Sequence, residues 1–249
     1  MKNYRYETML PHEFLKAVEE CPVFIIPTGL LEWHGDHLPL GLDALKIHAI
    51  ALNIAQKLGG GIVLPPNYIG RPGFSSYAGT LTYSEGLVQQ LFYEMFGQLK
   101  KVGAKVIVLL SGHYGSLQES AVLRAGDIFS HENPDVGILA KAEYFNAKVG
   151  EALPCDHAGL WETSMYLHLY PEDAVRVKKN LHAKVAPMKL YPSPPNDYYK
   201  ESADWTWVND VLASRAELGA QAVEAISDVT VREIRQLLAE KAGKIYGEL

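Results

Sequence analysis

The 249-residue sequence predicts an α/β fold in which helices cover both faces of a mostly parallel sheet. Three observations predict it. Short, continuous apolar runs recur along the chain, as strands buried on both faces require. Segments with helical spacing separate those runs, as parallel crossovers require. Gly, Pro and Ser punctuate the joints between them.

The elements follow in order. "PVFIIPTG" (Pro22 to Gly29) is a β-rich run that ends in turn residues, and it reads as a buried strand. "DALKIHAIALNIAQKL" (Asp43 to Leu58) is a helix with Asp at its start, where an acid caps or stabilises the first turn. "GIVLPP" (Gly61 to Pro66) is a second, shorter strand. "SEGLVQQLFYEMFGQLKKVG" (Ser84 to Gly103) begins with a capping Ser and stops at Lys-Lys and Gly. "KVIVLLSGH" (Lys105 to His113) is the clearest strand, with five consecutive apolar residues before Ser-Gly. A helix at "SLQESAVLRAGDIFSH" (Ser116 to His131) follows, then a fourth strand at "DVGILAKAEY" (Asp135 to Tyr144). The segment Lys189 to Asp210 is rich in Pro and aromatics, including Tyr198, Tyr199, Trp205 and Trp207. It is too apolar for solvated disorder and reads as an ordered excursion, with its aromatics packing at a subunit interface. The tail keeps helical spacing of Leu, Val and Ile through Leu238. With no repeat or low-complexity tract, residues 1–249 read as a single domain.

Composition narrows the function. A net charge of −6 argues against nucleic acid, whose binders usually carry a basic patch. No apolar run reaches the ~18 to 20 residues of a membrane span. Cys21 and Cys155 cannot form a disulfide framework, and the N-terminus lacks a signal-peptide core. A cytoplasmic protein with a small-molecule substrate is the expectation.

In open α/β sheets, sites form outside the carboxyl ends of the strands. Three groups of ionisable residues fall there: Glu32, His34 and Asp43 after the first strand, His113 in "SGHYGS", and His157 and Glu162 in "CDHAGLWETS". Imidazoles with carboxylates suit Zn²⁺, Mn²⁺ or Fe²⁺. Glu32 and His34, two apart, share one side of an extended segment. Taken singly, each has a plainer role: Asp43 as a helix cap, His113 as a loop histidine, Glu162 as a first-turn acid. Asp36 and His48 read as a solvated loop and a helix face, and His37 is open between support and structure. The set argues for a metal site because independent accidents should not all collect at strand ends.

These residues also carry a resemblance. "PTGLLEWHGDHLPLGLD", "LLSGHYGS", "HAGLWETS" and the fainter "YAGT" stand, in order, where the creatininase (creatinine amidohydrolase) family has its motifs. The sequence is similar to that family over most of its length. The resemblance implies a three-layer α/β/α sandwich, a homohexamer, and two divalent metal ions. Position by position, it implies Glu32, His34, Asp43 and His113 as metal ligands, with Asp43 between the ions. Glu162 completes the metal shell or acts beside it, and His157 carries a proton near the substrate. Three departures stand out. Gly115 occupies a position where creatininase has a metal-binding Glu, so another residue must supply that ligand, and Glu162 is the candidate. Ser111 and Ser116 replace two family Asn residues. Leu153 and Pro154 stand where a tryptophan-lined creatinine pocket is expected, which points away from creatinine.

The implied chemistry is metal-assisted hydrolysis. Two ions acidify a bridging water, whose hydroxide attacks a carbonyl, most simply that of a cyclic amide. Tyr114 or Ser75 would help polarise the carbonyl oxygen. The family also holds formamide hydrolases, a peptide-trimming enzyme and hydrolases of cyclic diketones. C–C cleavage in an oxidised inositol is therefore the alternative, and a non-catalytic oligomeric metal protein is the third reading.

Overall fold

A computed structural model describes residues 2–71, 73–181 and 211–246. The aromatic excursion predicted at Lys189 to Asp210 lies outside these residues. Four strands, β1 (Val23–Thr28), β2 (Ile62–Val63), β3 (Val106–Ser111) and β4 (Gly137–Ala142), form one sheet. Its order is β2-β1-β3-β4, and every pair is parallel.

Seven α-helices are described: α1 (Pro11–Glu20), α2 (Leu42–Leu58), α3 (Glu85–Lys101), α4 (Ser116–Glu132), α5 (Leu160–Leu169), α6 (Ala174–Leu181) and α7 (Ala216–Tyr246). Alternation along the strands divides the core into two layers. Val23, Ile25, Val106 and Val108 pack with Ile47 and Ile50 of α2 and Ile226 of α7. Phe24, Ile26, Ile107 and Leu109 pack on the other face with Phe92 and Phe96 of α3 and Val122 and Phe129 of α4. Each fully buried aliphatic or Phe contributes about 1.5–3 kcal/mol, so both faces must be covered. The result is the predicted three-layer α/β/α sandwich.

The structure differs from expectation at some boundaries. β2 is only Ile62–Val63, because Pro65 and Pro66 lack the N–H that a longer ladder needs. α1 is a ten-residue amphipathic helix, with Phe14, Ala17 and Val18 packed on the core, and was not foreseen. It starts at Pro11, and Glu13 accepts a hydrogen bond from the Leu10 N–H at 2.8 Å. α7 runs eight residues past the predicted stop at Leu238. Cys21 and Cys155 are free thiols. No helix among the described residues is long and apolar enough to cross a membrane.

What positions the site is the sheet edge. Parallel strands end together, so Thr28, Ser111 and Ala142 lie along one edge. α4 begins five residues after β3 ends, and α2 also opens toward this edge.

Candidate metal centre

Two glycines let α2 approach the sheet edge. A Cβ on Gly29, just past β1, would lie 2.4 Å from the Ala44 nitrogen. A Cβ on Gly112, just past β3, would lie 2.4 Å from the Asp43 carbonyl oxygen. Only a glycine at each place admits the first turn of α2, and with it Asp43. The loop carrying Glu32 and His34 is closed by the Glu32 N–H donating to the Leu40 carbonyl at 2.8 Å. His113 follows β3, and Glu162 lies in the first turn of α5. Asp43 and Glu162 each gain from the partial positive charge of a helix N-terminus.

These five side chains are buried and converge. Glu32, Asp43 and His113 form one triad, and His34, Asp43 and Glu162 another, each with donor atoms within 4.8 Å of one another. Asp43 belongs to both: its Oδ1 lies 3.0 Å from His34 Nε2 and its Oδ2 3.3 Å from His113 Nδ1. Glu32 Oε2 lies 3.0 Å from His113 Nδ1, and Glu162 Oε2 lies 3.6 Å from His34 Nε2. The His34 Nδ1 is 3.0 Å from the Glu32 carbonyl, so Nδ1 donates there and Nε2 faces the cluster.

The donor set fits a divalent cation. Glu32 Oε2, His34 Nε2 and both Asp43 oxygens are buried yet make no hydrogen bond among the described residues. Orphaned buried polar atoms are costly, and here four of them face one volume. Electrostatics agree. Burial opposes ionisation of Glu32 and Asp43, but nearby His113 and His34 outweigh it and hold both carboxyls below their ordinary range. Burial likewise opposes charging of His34, yet Asp43 and Glu162 raise it to about 9. His113 is raised in the same way by Glu32 and Asp43. In the metal-free protein the imidazoles thus take up the positive charge that the carboxylates demand.

The outer carboxylates are held differently. Glu32 Oε1 accepts from the Phe74 N–H at 2.7 Å, leaving Oε2 for the cluster. Gly73 permits this, since a Cβ there would lie 2.1 Å from Glu32 Oε1. Glu162 Oε1 accepts instead from the Lys46 ammonium at 2.8 Å, and its Oε2 from the Ala158 N–H at 2.7 Å. Ala158 holds a left-handed backbone, φ 52°, of the kind that non-glycine residues adopt at constrained sites.

A cavity of about 310 Å³ opens onto the cluster. His157 lines it, stacked on Phe74 at 4.1 Å between centroids. Its Nε2 lies 2.9 Å from the Trp33 carbonyl, and its Nδ1 3.7 Å from Glu32 Oε2. Burial, with His34 close by, pushes this imidazole down to about 3, so it is held neutral. Trp33 stacks on Tyr77 of the "YAGT" element at 4.4 Å, and the Trp33 N–H donates to Thr80 Oγ1 at 3.1 Å. That element therefore braces the Glu32 loop.

The structure thus gathers Glu32, His34, Asp43, His113, His157 and Glu162 at one cavity. Tyr114 also lines it, but its hydroxyl donates to Glu143 and accepts from Lys46 rather than standing free toward a substrate. Asp36 is exposed, as read from the sequence. His37 is structural support: its Nε2 meets Thr163 Oγ1 at 3.0 Å, tying the loop to α5. His48 is buried rather than on a solvated face. Two buried residues escaped sequence reading, Lys46 and Glu143. Lys46 occupies the Leu42–Ile50–Ile54 stripe of α2, where a charge is out of place and is itself a signal. Glu143 lies just past β4, where the strand-end rule applies equally.

The sequence model of the family described as Creatininase: Creatinine amidohydrolase matches residues 7–234. The creatinine amidohydrolase of Pseudomonas putida is 26% identical over 94% of this chain and 95% of its own length. A mycofactocin precursor peptide peptidase of Mycolicibacterium smegmatis is 29% identical over 62% of this chain and 60% of its own. Among solved structures, a manganese creatininase superposes with a TM-score of 0.75 at 21% identity, covering 94% of this chain and 98% of that one. The chain therefore belongs to the creatininase (creatinine amidohydrolase) family of metal-dependent hydrolases.

Proposed function

We propose that the protein hydrolyses a C–N bond of an amide, cyclic or open, in a small molecule, using two divalent ions of Zn, Mn or Fe. The observation that carries this reading is the pair of buried triads sharing Asp43, with Glu32 Oε2, His34 Nε2 and both Asp43 oxygens turned inward without a hydrogen bond. Glu32, Asp43 and His113 would hold one ion, and His34, Asp43 and Glu162 the other. Ions held there supply Lewis acidity toward a carbonyl oxygen and a water acidified from ~15.7 toward ~7.

The chain's own residues do the rest. Asp43 presents one oxygen to each triad and sets their spacing. Glu32 and Glu162 each direct one oxygen inward and have the other held from behind. With Nε2–H donating to the Trp33 carbonyl, His157 turns Nδ1 toward Glu32 Oε2, 3.7 Å away. We assign that ring the passage of a proton to the leaving nitrogen, held only in transit because the imidazole rests neutral. Phe74, stacked on His157, keeps bulk water from that ring. Because the Tyr114 hydroxyl is committed to Lys46 and Glu143, we assign Tyr114 the cavity wall and not the polarising of the carbonyl.

The test is a turnover screen on metal-loaded protein with three arms: small cyclic amides, short peptides and cyclised keto-sugars. Metal-dependent release of an amine from either of the first two is the expected result. Turnover confined to the keto-sugars would move the assignment to C–C cleavage. One tightly held ion with no turnover in any arm would make the site structural. Sedimentation of the full chain tests the proposed homo-oligomer, a hexamer in this reading.

A further inference from the structure

Lys46 is a fully buried charge that would not itself touch ion or substrate. It follows Asp43 by three residues on α2 and is 0% exposed. Its Nζ lies 2.8 Å from Glu162 Oε1 and 2.8 Å from Glu143 Oε1, donates to the Tyr114 hydroxyl, and sits 4.3 Å from the centre of the Tyr114 ring. Removing an ammonium from water costs several kcal/mol and persists only where partners offset it. Here the partners are two buried carboxylates. The group lies behind the cavity wall that Tyr114 and Glu162 form, so it meets Glu162 from the side away from the cavity.

A first-turn glutamate has an easy alternative, which is to turn both oxygens to the backbone N–H groups of its own helix start. One oxygen of Glu162 already does so, through Ala158. The other would be free to rotate without Lys46. Glu32 faces no such choice, since the Phe74 N–H fixes it through the backbone. The chain also lacks a carboxylate at position 115, next to His113, where glycine stands.

Building on the two-ion reading, we propose that Lys46 is a positioning residue. By holding Glu162 Oε1, it works with the Ala158 N–H on Oε2 to keep Oε2 beside His34 and Asp43 as a one-oxygen ligand, making Glu162 the acid that Gly115 does not supply. Glu143 and Tyr114 hold Lys46 in turn. The role is specific to one ion: the Glu32–Asp43–His113 triad makes no contact with Lys46 through Glu32 or His113.

The test is metal counting on the full chain, independent of turnover. Wild type, Lys46→Met, Glu162→Ala and the double variant are stripped, reloaded with Zn²⁺, desalted and analysed, and each is titrated calorimetrically. Co²⁺ spectra report the two environments separately. Wild type should hold two ions. Lys46→Met should hold one tightly, with affinity for the second down about 10–100-fold, as loss of a group behind a ligand usually gives. The double variant should lose no more second-ion affinity than Glu162→Ala alone, because both changes act through one carboxylate. Should Lys46→Met not fold, Lys46→Met with Glu143→Gln leaves one fewer unpaired carboxylate and should show the same loss. Two ions at wild-type affinity in either Lys46 variant overturn the role of Lys46 alone. Fewer than two in the wild type overturn the two-ion reading and the proposal together.

Discussion

The two halves of the proposed metal centre share Asp43 but are built by different means. On one side, Glu32 is held by a backbone N–H from the Gly73–Phe74 turn, and His113 rides on the last residues after β3. On the other, the Ala158 N–H reaches Glu162 Oε2, but Oε1 is held by a lysine ammonium that is itself buried between carboxylates. A backbone donor has few ways to move once the chain is folded. A side-chain donor must be desolvated, paired and kept in one rotamer. The comparison teaches that the Glu32 half is a property of the chain path, and the Glu162 half a property of an ionic network that single substitutions can undo.

The largest expected effect ignores the division. Asp43→Ala removes the shared ligand, so both ions and all hydrolysis should be lost together, as read by metal analysis and turnover on the same sample. Two retained ions would break the idea of a common centre. Gly73→Ala attacks the backbone-held half alone. The added methyl collides with Glu32, and affinity for one ion should fall about 10–100-fold while the other stays; calorimetric titration separates the two.

Chelation compares the whole centre with the rest of the fold. At 100 times Kd one bound ion adds about 2.7 kcal/mol, so chelator should lower Tm by roughly 5–10 °C for a chain of this size. An unchanged melting curve would show that the ions contribute nothing to the folded state.

The smallest effect comes from an imidazole outside the centre. His48 is buried without a carboxylate ligand set, and burial, then Arg5, lowers its pKa from 6.5. A lowered folded value means that the unfolded chain binds the proton more readily. Stability from this group is therefore full above pH 6.5 and is lost as pH falls toward the lowered folded value, by at most about 1.4 kcal/mol per pH unit. His48→Gln should flatten that part of the stability–pH curve, measured by urea unfolding between pH 7 and pH 4. An unchanged slope would remove His48 from the account.

Much of this architecture is legible in the sequence because its causes are local. Continuous apolar runs such as Val106–Leu110 have few stable fates other than a strand covered on both faces. The strand-end rule then picks out Glu32, His34, Asp43, His113 and Glu162 without knowledge of any contact. α1 was missed because its apolar stripe spans only ten residues and its start depends on Pro11 and Glu13 rather than on a long apolar period. Glu143 was passed over because one acid after a strand looks like surface, and Lys46 because a lysine on a helix usually is.

The sequence by itself determined the α/β order, the edge where chemistry collects and the carboxylate–imidazole ligand types. Which atoms of those residues turn toward the cluster depends on tertiary contacts. Glu32 is fixed by a residue 42 positions away and Glu162 by one 116 positions away. The physical reason is range. Strand alternation and helical period act over a few residues, whereas the choice between the two oxygens of a carboxylate is made by whichever donor the folded chain brings behind it.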